Sequence, residues 1–305
     1  MKKLLALLLA LCLLPAAGLA ETIVTSFYPI YLFALNLTDG LDGVTVRNLA
    51  APDTGCLHDY QLQTSDMKVL AAADAFLVNG AGMESYLENV FEIFPDLPVT
   101  DASAGIELLC DEEGHDHEHE DHAHEEHDHE HGMYNAHVWL DAENAIVMVR
   151  NLAQGLIAAC PDHAEAIAFH RDAYIERLAA LDAELAAQLS ALPRRDIITF
   201  HEAFPYFAHG YGLHVAAVVN REPSDSLSPA ALATLVKTVV ELGVPPLFVE
   251  PQYSDIAAQT IARETGAQIF TLDPIVTGPT EDVPLSYYED TMRRNAQVLM
   301  EALGQ

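Results

Sequence analysis

Positively charged side chains are scarce in this sequence: 14 Lys and Arg stand against 46 Asp and Glu among 305 residues, a formal charge of −32. Nucleic-acid binding depends on clustered Lys and Arg that neutralise phosphates, so the composition argues against a nucleic-acid partner. Beyond the N-terminus there is no run of about 18 or more apolar residues, which argues against a transmembrane helix. Half of the residues are nevertheless apolar, so the chain can bury a substantial core, and its length favours two domains.

The N-terminus has the pattern of a secretory signal peptide. Two lysines precede an apolar stretch, residues 4–14, which is too short to span a membrane, and small residues end at Ala20. We therefore predict a cleaved signal peptide, residues 1–20, and a soluble mature protein outside the cytoplasm, in a periplasm or at a cell surface. Cys12 follows a leucine, where a lipidation signal has a small residue, so a lipid anchor is not expected at this cysteine.

Only three cysteines remain after this segment: Cys56, Cys110 and Cys160. An oxidising compartment permits one disulfide among them and leaves one thiol. The sequence leaves the pairing open.

Short apolar runs rich in β-branched residues alternate with helical patterns in both halves of the chain. Strands are predicted at residues 22–27, 44–49, 75–79 and 98–101, and again at 196–200, 215–219, 247–249 and 268–272. Helices are predicted at residues 28–36, 64–72 and 83–93, and again at 204–209, 229–242 and 254–264. This repeated order predicts an α/β fold with two parallel-sheet, Rossmann-like lobes.

A helical segment, residues 142–192, separates the two halves. From Pro161 to about Ser190 the spacing of apolar residues predicts one amphipathic helix, roughly 45 Å long. The apolar positions are Ile167, Tyr174, Leu178, Leu181, Leu185, Leu189 and Leu192. A helix of this length can brace both lobes, whereas the alternative is an ordinary surface helix of the second lobe. The predicted domains are therefore a first lobe, 21–141, the connecting segment, and a second lobe, 193–305.

The most biased segment, residues 111–131, contains 11 acids and eight histidines. It has no aromatic or branched aliphatic side chain, so it cannot bury enough apolar surface to fold, and we predict a disordered insertion. Imidazoles among carboxylates suit Zn²⁺ and predict several weak, exchanging sites; the alternative is a solvated acidic linker. These auxiliary histidines are His115, His117, His119, His122, His124, His127, His129 and His131.

Three other histidines lie at predicted strand ends or in the turns that follow. His58 lies in CLHDYQL, His137 in NAHVWLD, and His201 directly after the strand DIITF. Ligands bind at the carboxyl ends of parallel strands, so these histidines converge if the two lobes face each other. Each alone is compatible with an ordinary polar residue, but together they predict a metal site.

Four stretches of the chain resemble one family. FHEAFPYFAHGYGL resembles the signature of the zinc-binding proteins of metal-uptake ABC transporters, NAHVWLD resembles their Pro-His-x-Trp-Leu-Asp, and FVEPQYS and TLDPI have counterparts there. The resemblance covers residues 23–305. It differs at Asn135 and Ala136, where a Pro is common, and at CLHDYQL, which replaces Pro-His-x-Tyr-Glu-Pro.

This resemblance implies two lobes joined by a rigid helix, with one ion in the cleft. His58 and His137 are then ligands from the first lobe and His201 from the second, and Asp273 or a water molecule takes the fourth position. Manganese-binding relatives have a carboxylate in place of His201, so zinc is favoured over manganese.

Three carboxylates, Glu202, Glu250 and Asp141, are candidates to orient these imidazoles, with helix capping or a surface charge as the alternative.

The resemblance also implies a monomer that passes zinc to a permease in the membrane and is not an enzyme. A zinc hydrolase is a remote alternative, because three histidines and a water molecule also form catalytic zinc sites. Against it, the chain has no His-Glu-x-x-His helix and no nucleophile elbow, although Glu202 could serve as a base. A metal buffer or adhesin not coupled to transport is the third reading, since the same site serves either role.

Overall fold

The computed structural model describes residues 20–51, 54–55, 57, 60–110, 134–219 and 228–304. Residues 1–19 of the predicted signal peptide, the segment 111–131, Cys56 and His58 lie outside these ranges. Among the helices within them, none is long and apolar enough to cross a membrane. Cys110 is exposed and Cys160 buried, and both are free thiols, so these two cysteines do not pair with each other.

The first half of the chain forms a four-stranded parallel sheet. Its elements are β1 (Glu21–Thr25), α1 (Tyr28–Thr38), β2 (Val44–Asn48), α2 (Thr64–Leu70), β3 (Ala75–Val78), α3 (Leu87–Ile93) and β4 (Val99–Asp101). The strand order is β2-β1-β3-β4, with Ile23 of β1 opposite both Val46 and Ala75. All four residues of β3 are apolar and buried, as expected of a central strand covered on both faces.

The second half repeats this arrangement. Its elements are β5 (Asp196–Thr199), α6 (Pro205–Gly210), β6 (His214–Val218), α7 (Pro229–Glu241), β7 (Leu247–Val249), α8 (Ile256–Thr265), β8 (Ile269–Thr271) and α9 (Tyr287–Leu303). The order β6-β5-β7-β8 is again parallel, with a register shift between Ile197 and Ile198. The predicted two-lobed α/β fold is confirmed, whereas α9 was not among the predicted helices.

Two helices connect the lobes: α4 (Ala142–Ala159) and α5 (Ala164–Ser190). A 3₁₀ turn, Pro161–His163, separates them, so the 27 residues of α5 extend for about 40 Å. The predicted apolar stripe of α5 is buried along its whole length, from Ile167 to Leu189. It packs on α1, α4 and α9, so α5 is not an ordinary surface helix of the second lobe.

The main hydrophobic core continues from the first lobe across α5 to the C-terminal helix. Three aromatic rings show this: Phe33 of α1 lies 6.1 Å from Tyr174 of α5 and 5.1 Å from Tyr288 of α9, measured between ring centroids. Arg177 of α5 adds a polar link, because its Nε donates to Glu289 Oε1 of α9 over 2.9 Å and its other nitrogen contacts Asn36 of α1. A second, smaller core lies in the second lobe and includes Ile198, Val219, Val239, Leu247, Ile261 and Ala267.

The only tryptophan joins the lobes beneath the cleft. Trp139 is fully buried; its indole Nε1 donates to the carbonyl of Pro274, 2.8 Å away, and its own carbonyl accepts the Tyr288 hydroxyl at 2.7 Å. Its ring meets Phe27 edge to face, with 5.1 Å between centroids. Because Pro274 follows β8 of the second lobe, this one side chain links both halves.

Replacing Trp139 with Phe should lower the free energy of unfolding by about 2–4 kcal/mol, because the Pro274 carbonyl loses its donor and the smaller ring leaves a void. Urea denaturation followed by far-UV circular dichroism measures this. Phe169→Ala is the control, since Phe169 is 71% exposed and its loss should change stability by less than about 0.5 kcal/mol. Equal midpoints for Trp139→Phe and the wild type would contradict the expectation.

Candidate functional site

Two histidines meet where the lobes face each other. His137 comes directly before a 3₁₀ turn, Val138–Leu140, that leads into α4, and His201 lies two residues beyond the end of β5. Their side chains are 0% and 1% exposed. The structure therefore brings together one histidine from each side of the cleft, at the carboxyl end of a second-lobe strand.

The two imidazoles face each other through the same ring nitrogen. The Nε2 atoms of His137 and His201 are 3.2 Å apart, and the rings are nearly perpendicular, with an interplanar angle of 78°. A hydrogen bond of this length needs a proton on only one of the two nitrogens. Two such nitrogens, pointing at the same space, can also both be ligands of one transition-metal ion.

Each of these imidazoles lies next to an aromatic ring. The His137 ring lies 5.2 Å from the ring of Trp139, and the His201 ring lies 6.1 Å from that of Tyr253, between centroids. The Trp139 side chain therefore packs against His137 while it donates to the carbonyl of Pro274, three residues beyond the end of β8.

Asp273, the predicted fourth ligand, lies just beyond β8. Its Oδ1 accepts the backbone N–H of Ile275 over 2.8 Å, and the side chain of Asn295 bonds both its N–H and its carbonyl. Ile275 has a positive φ of 63°, which is strained for a β-branched residue. Burial raises the pKa of Asp273, although nearby Arg294 opposes this.

The described residues contain no group of three His, Cys, Asp or Glu side chains close enough to hold one ion. His58 and the eight auxiliary histidines are outside the described ranges, so their predicted roles remain predictions.

Glu250, one of the three candidate orienting carboxylates, is 3% exposed. Its Oε2 accepts from Gln252 Nε2 over 2.6 Å, and its Oε1 has no hydrogen-bond partner among the described residues. Burial, with a smaller contribution from Asp273, raises the pKa of Glu250 to about 8. Near neutral pH this carboxyl group is therefore largely uncharged.

The other two candidates have different surroundings. Asp141 caps α4, because its Oδ1 accepts the backbone N–H groups of Glu143 and Asn144 over 2.7 and 3.2 Å, so helix capping explains this residue. Gly210 approaches the same carboxylate so closely that any side chain there would overlap it. Glu202 contributes its backbone carbonyl, which accepts from the side chain of Asn135 over 2.8 Å.

Asn135 and Tyr206 were not among the predicted site residues. Asn135 lies two residues before His137 and bonds its backbone N–H over 3.0 Å, and the Tyr206 hydroxyl donates to the Asn135 carbonyl over 2.9 Å. An Asn that bonds the backbone two residues later is a recognised turn former, so the pair Asn135 and His137 carried a sequence signal. The contact with Tyr206 had no sequence signal, because 71 residues separate Tyr206 from Asn135.

A second buried carboxyl group supports the first-lobe side of the site. Glu84 accepts the N–H groups of Asn79 and Gly80 over 2.7 and 3.1 Å, and the Asn79 side chain donates to the carbonyl of Ala136, directly before His137. Burial raises the pKa of Glu84 to about 7, although the two backbone N–H groups favour its ionised form.

The fold and the site define a class: a two-lobed α/β protein with paired histidines buried between the lobes. The sequence model of the family described as zinc-uptake complex component A, periplasmic (ZnuA), matches residues 23–302. The chain belongs to this family.

Individual relatives agree with this assignment. The zinc-binding protein AdcA of Streptococcus pyogenes serotype M3 is 31% identical over 91% of this chain and 55% of its own length. The solved structure of Zn(II)-bound AdcA from Streptococcus pneumoniae is 27% identical, with a TM-score of 0.78 over 93% of this chain and 58% of that one. The FpvC binding protein of Pseudomonas aeruginosa, solved with Mn²⁺, is 26% identical, with a TM-score of 0.78 over 93% and 99%. The chain thus spans about half the length of the curated AdcA relatives that it matches.

Stability should depend on pH through Glu84. Its pKa of about 7 in the folded state exceeds the ordinary 4.5, so the folded state binds the extra proton, and the free energy of unfolding should fall by roughly 3 kcal/mol as pH rises from 4.5 through 7. Glu84→Gln removes this contribution, so the stability of wild type relative to the variant should be greater at pH 5 than at pH 8. Urea titrations at several pH values measure it.

The exposed neighbour Glu88 provides the matched control, because Glu88→Gln makes the same change in charge on the surface of α3. A difference between wild type and Glu84→Gln that stays constant with pH would contradict the buried-carboxyl explanation.

Proposed function

We propose that this protein captures Zn²⁺ between its two lobes, outside the cytoplasm, and delivers it to an ABC-type permease in the membrane. Support comes from the family, whose description is a periplasmic component of a zinc-uptake complex, and from relatives that are named for zinc binding. The predicted signal peptide, residues 1–20, is consistent with this location, and we propose a monomer.

The observation that carries this proposal is the separation of 3.2 Å between the Nε2 atoms of His137 and His201. With Zn–N bonds of 2.0–2.1 Å at tetrahedral angles, two nitrogen ligands of one zinc ion lie about 3.3 Å apart. The two imidazoles thus already have the spacing of zinc ligands, so little rearrangement of this pair is needed on binding.

We assign the remaining ligand positions to His58 and Asp273, with water as the alternative to Asp273. His58 is proposed from its motif alone. Asp273 is proposed because it lies just beyond β8, at the carboxyl end of a second-lobe strand. Three imidazoles and one oxygen ligand form a set that suits zinc.

Manganese is the alternative cargo, because the similar FpvC structure contains Mn²⁺. Zinc is favoured here because the two residues that meet, His137 and His201, offer imidazoles and Asp273 is the one proposed carboxylate ligand, whereas Mn²⁺ prefers carboxylate and other oxygen ligands.

We infer a transport role and not catalysis. The family is described as a zinc-uptake component, and two of the candidate carboxylates have structural partners: Asp141 caps a helix, and Asp273 Oδ1 accepts a backbone N–H.

His137→Ala and His201→Ala should each weaken zinc binding by at least about 100-fold, because each removes a direct ligand. Competition titration with a chromophoric chelator measures the affinity, and circular dichroism checks the fold. His209→Ala is the control, since His209 is an exposed histidine of α6 in the same lobe as His201. Wild-type affinity in either of the first two variants would contradict the site, and displacement of zinc by equimolar Mn²⁺ would contradict the choice of metal.

We propose that segment 111–131 binds additional zinc more weakly than the cleft. The composition of this segment predicts disorder, and ordering a disordered chain around an ion costs about 1–2 kcal/mol for each residue that is fixed, whereas folded lobes hold their ligands near the binding geometry. Deleting residues 111–131 should lower the number of ions bound at high zinc and leave the tightest site unchanged, as measured by calorimetry. Changing its eight histidines to Ser, with every acid kept, should have the same effect; loss of the tight phase would show that the segment supplies a primary ligand.

A further inference from the structure

Asn135 contacts both sides of the cleft with all of its polar groups. It is 2% exposed. Its Oδ1 accepts the backbone N–H of His137 over 3.0 Å and lies 3.2 Å from His137 Nδ1. Its Nδ2 donates to the carbonyl of Glu202 over 2.8 Å, and its own carbonyl accepts the Tyr206 hydroxyl over 2.9 Å.

These partners determine the orientation of the Asn135 side-chain amide. Reversing the amide would place its NH₂ group against the backbone N–H of His137 and its oxygen against the carbonyl of Glu202, so two favourable hydrogen bonds would become repulsive contacts. The atom next to His137 Nδ1 is therefore an oxygen, which can only accept a hydrogen bond.

An acceptor at this position selects one tautomer of His137. In the neutral imidazole one nitrogen carries the proton, and the proton that bonds Asn135 Oδ1 must be on Nδ1. The lone pair is then on Nε2, which is the nitrogen that faces His201 Nε2. This is the tautomer that a metal ion between the two histidines requires.

The same residue links the two lobes beside the histidines. Glu202 and Tyr206 belong to the second lobe, and Glu202 directly follows His201. The Tyr206 hydroxyl also accepts the backbone N–H of Leu109 over 2.9 Å, so it bonds two separate first-lobe segments. Asn135 and Tyr206 therefore restrain the distance between His137 and the backbone that carries His201.

We propose that Asn135 is the positioning residue of this site: it holds His137 in the Nδ1–H tautomer and, through Glu202 and Tyr206, holds the two histidines at ligand spacing. The statement that the bound ion is zinc rests on the proposed function, whereas the assignment of the His137 tautomer does not. An outer hydrogen-bond partner of a metal-binding histidine typically contributes 10–100-fold to affinity.

Three variants of the full chain separate the two roles. Asn135→Ala removes both the acceptor and the lobe contact. Asn135→Asp keeps the acceptor for Nδ1–H but places an oxygen against the Glu202 carbonyl, and Tyr206→Phe removes only the hydroxyl contacts. Asn151→Ala is the matched control, because the Asn151 amide also makes two bonds, to the carbonyls of Ala102 and Ala104, away from the histidines.

The tautomer is measured without metal, by ¹⁵N NMR of histidine-labelled protein at pH 8, with the His137 signals assigned from their absence in His137→Ala. In the wild type, in Asn135→Asp and in Tyr206→Phe, Nδ1 should have the shift of a protonated nitrogen and Nε2 that of an unprotonated one. In Asn135→Ala the two shifts should move towards each other. Shifts in Asn135→Ala that equal those of the wild type would overturn the tautomer assignment.

Zinc affinity is measured on the same proteins by chelator competition. We expect about 10–100-fold weaker binding in Asn135→Ala, a smaller loss in Tyr206→Phe, tighter binding in Asn135→Asp than in Asn135→Ala, and no change in Asn151→Ala. If wild type binds zinc tightly through His137 and Asn135→Ala binds it equally well, the positioning role is wrong and the proposed function stands. If wild type does not bind zinc, the proposed function is wrong, and the NMR result still decides the tautomer.

Discussion

The hydrogen bond from the Trp139 indole to the Pro274 carbonyl is the contact on which the arrangement of this molecule depends. It joins the turn after His137 to the turn that carries Asp273, through a side chain that is wholly excluded from water. Because the Trp139 ring also packs against His137, a change in the relative position of the lobes would also move the His137 imidazole. The shared core across α5 and α9 makes such a change costly, since Phe33, Tyr174 and Tyr288 would lose their packing.

A site held in this way is well suited to capturing an ion. The folded lobes already place two imidazole nitrogens at ligand spacing, so binding does not have to order a flexible chain. The net charge of the protein and the charges of its buried carboxyl groups differ. The protein carries a formal charge of −32, which attracts cations in general, yet burial raises the pKa of Glu84 to about 7 and that of Glu250 to about 8. The long-range electrostatic potential is therefore negative, while the two candidates that meet in the cleft, His137 and His201, offer nitrogen atoms.

Local patterns predicted most elements because strand and helix periodicity depends on near neighbours. Strand β7 has the predicted bounds, and the stripe on α5 is buried as expected. Helix α9 was not predicted, although Tyr288, Met292, Ala296 and Leu299 follow helical spacing. Its apolar face is narrow, and the charged residues between these positions make the pattern weak. For Asp141, the sequence allowed two roles equally: orienting a ligand histidine or capping a helix. The structure shows that it caps α4, because its carboxylate accepts a backbone N–H of the first turn.

The sequence by itself determined the α/β class, the long connecting helix, and His137 and His201 as candidates, because these depend on composition, spacing and short motifs. Only the tertiary structure decided that their Nε2 atoms lie 3.2 Å apart, across 64 residues of chain, and that Asn135 faces His137 Nδ1 while it bonds Glu202. Such distances result from the packing of two lobes around a shared core, and no local pattern encodes that packing.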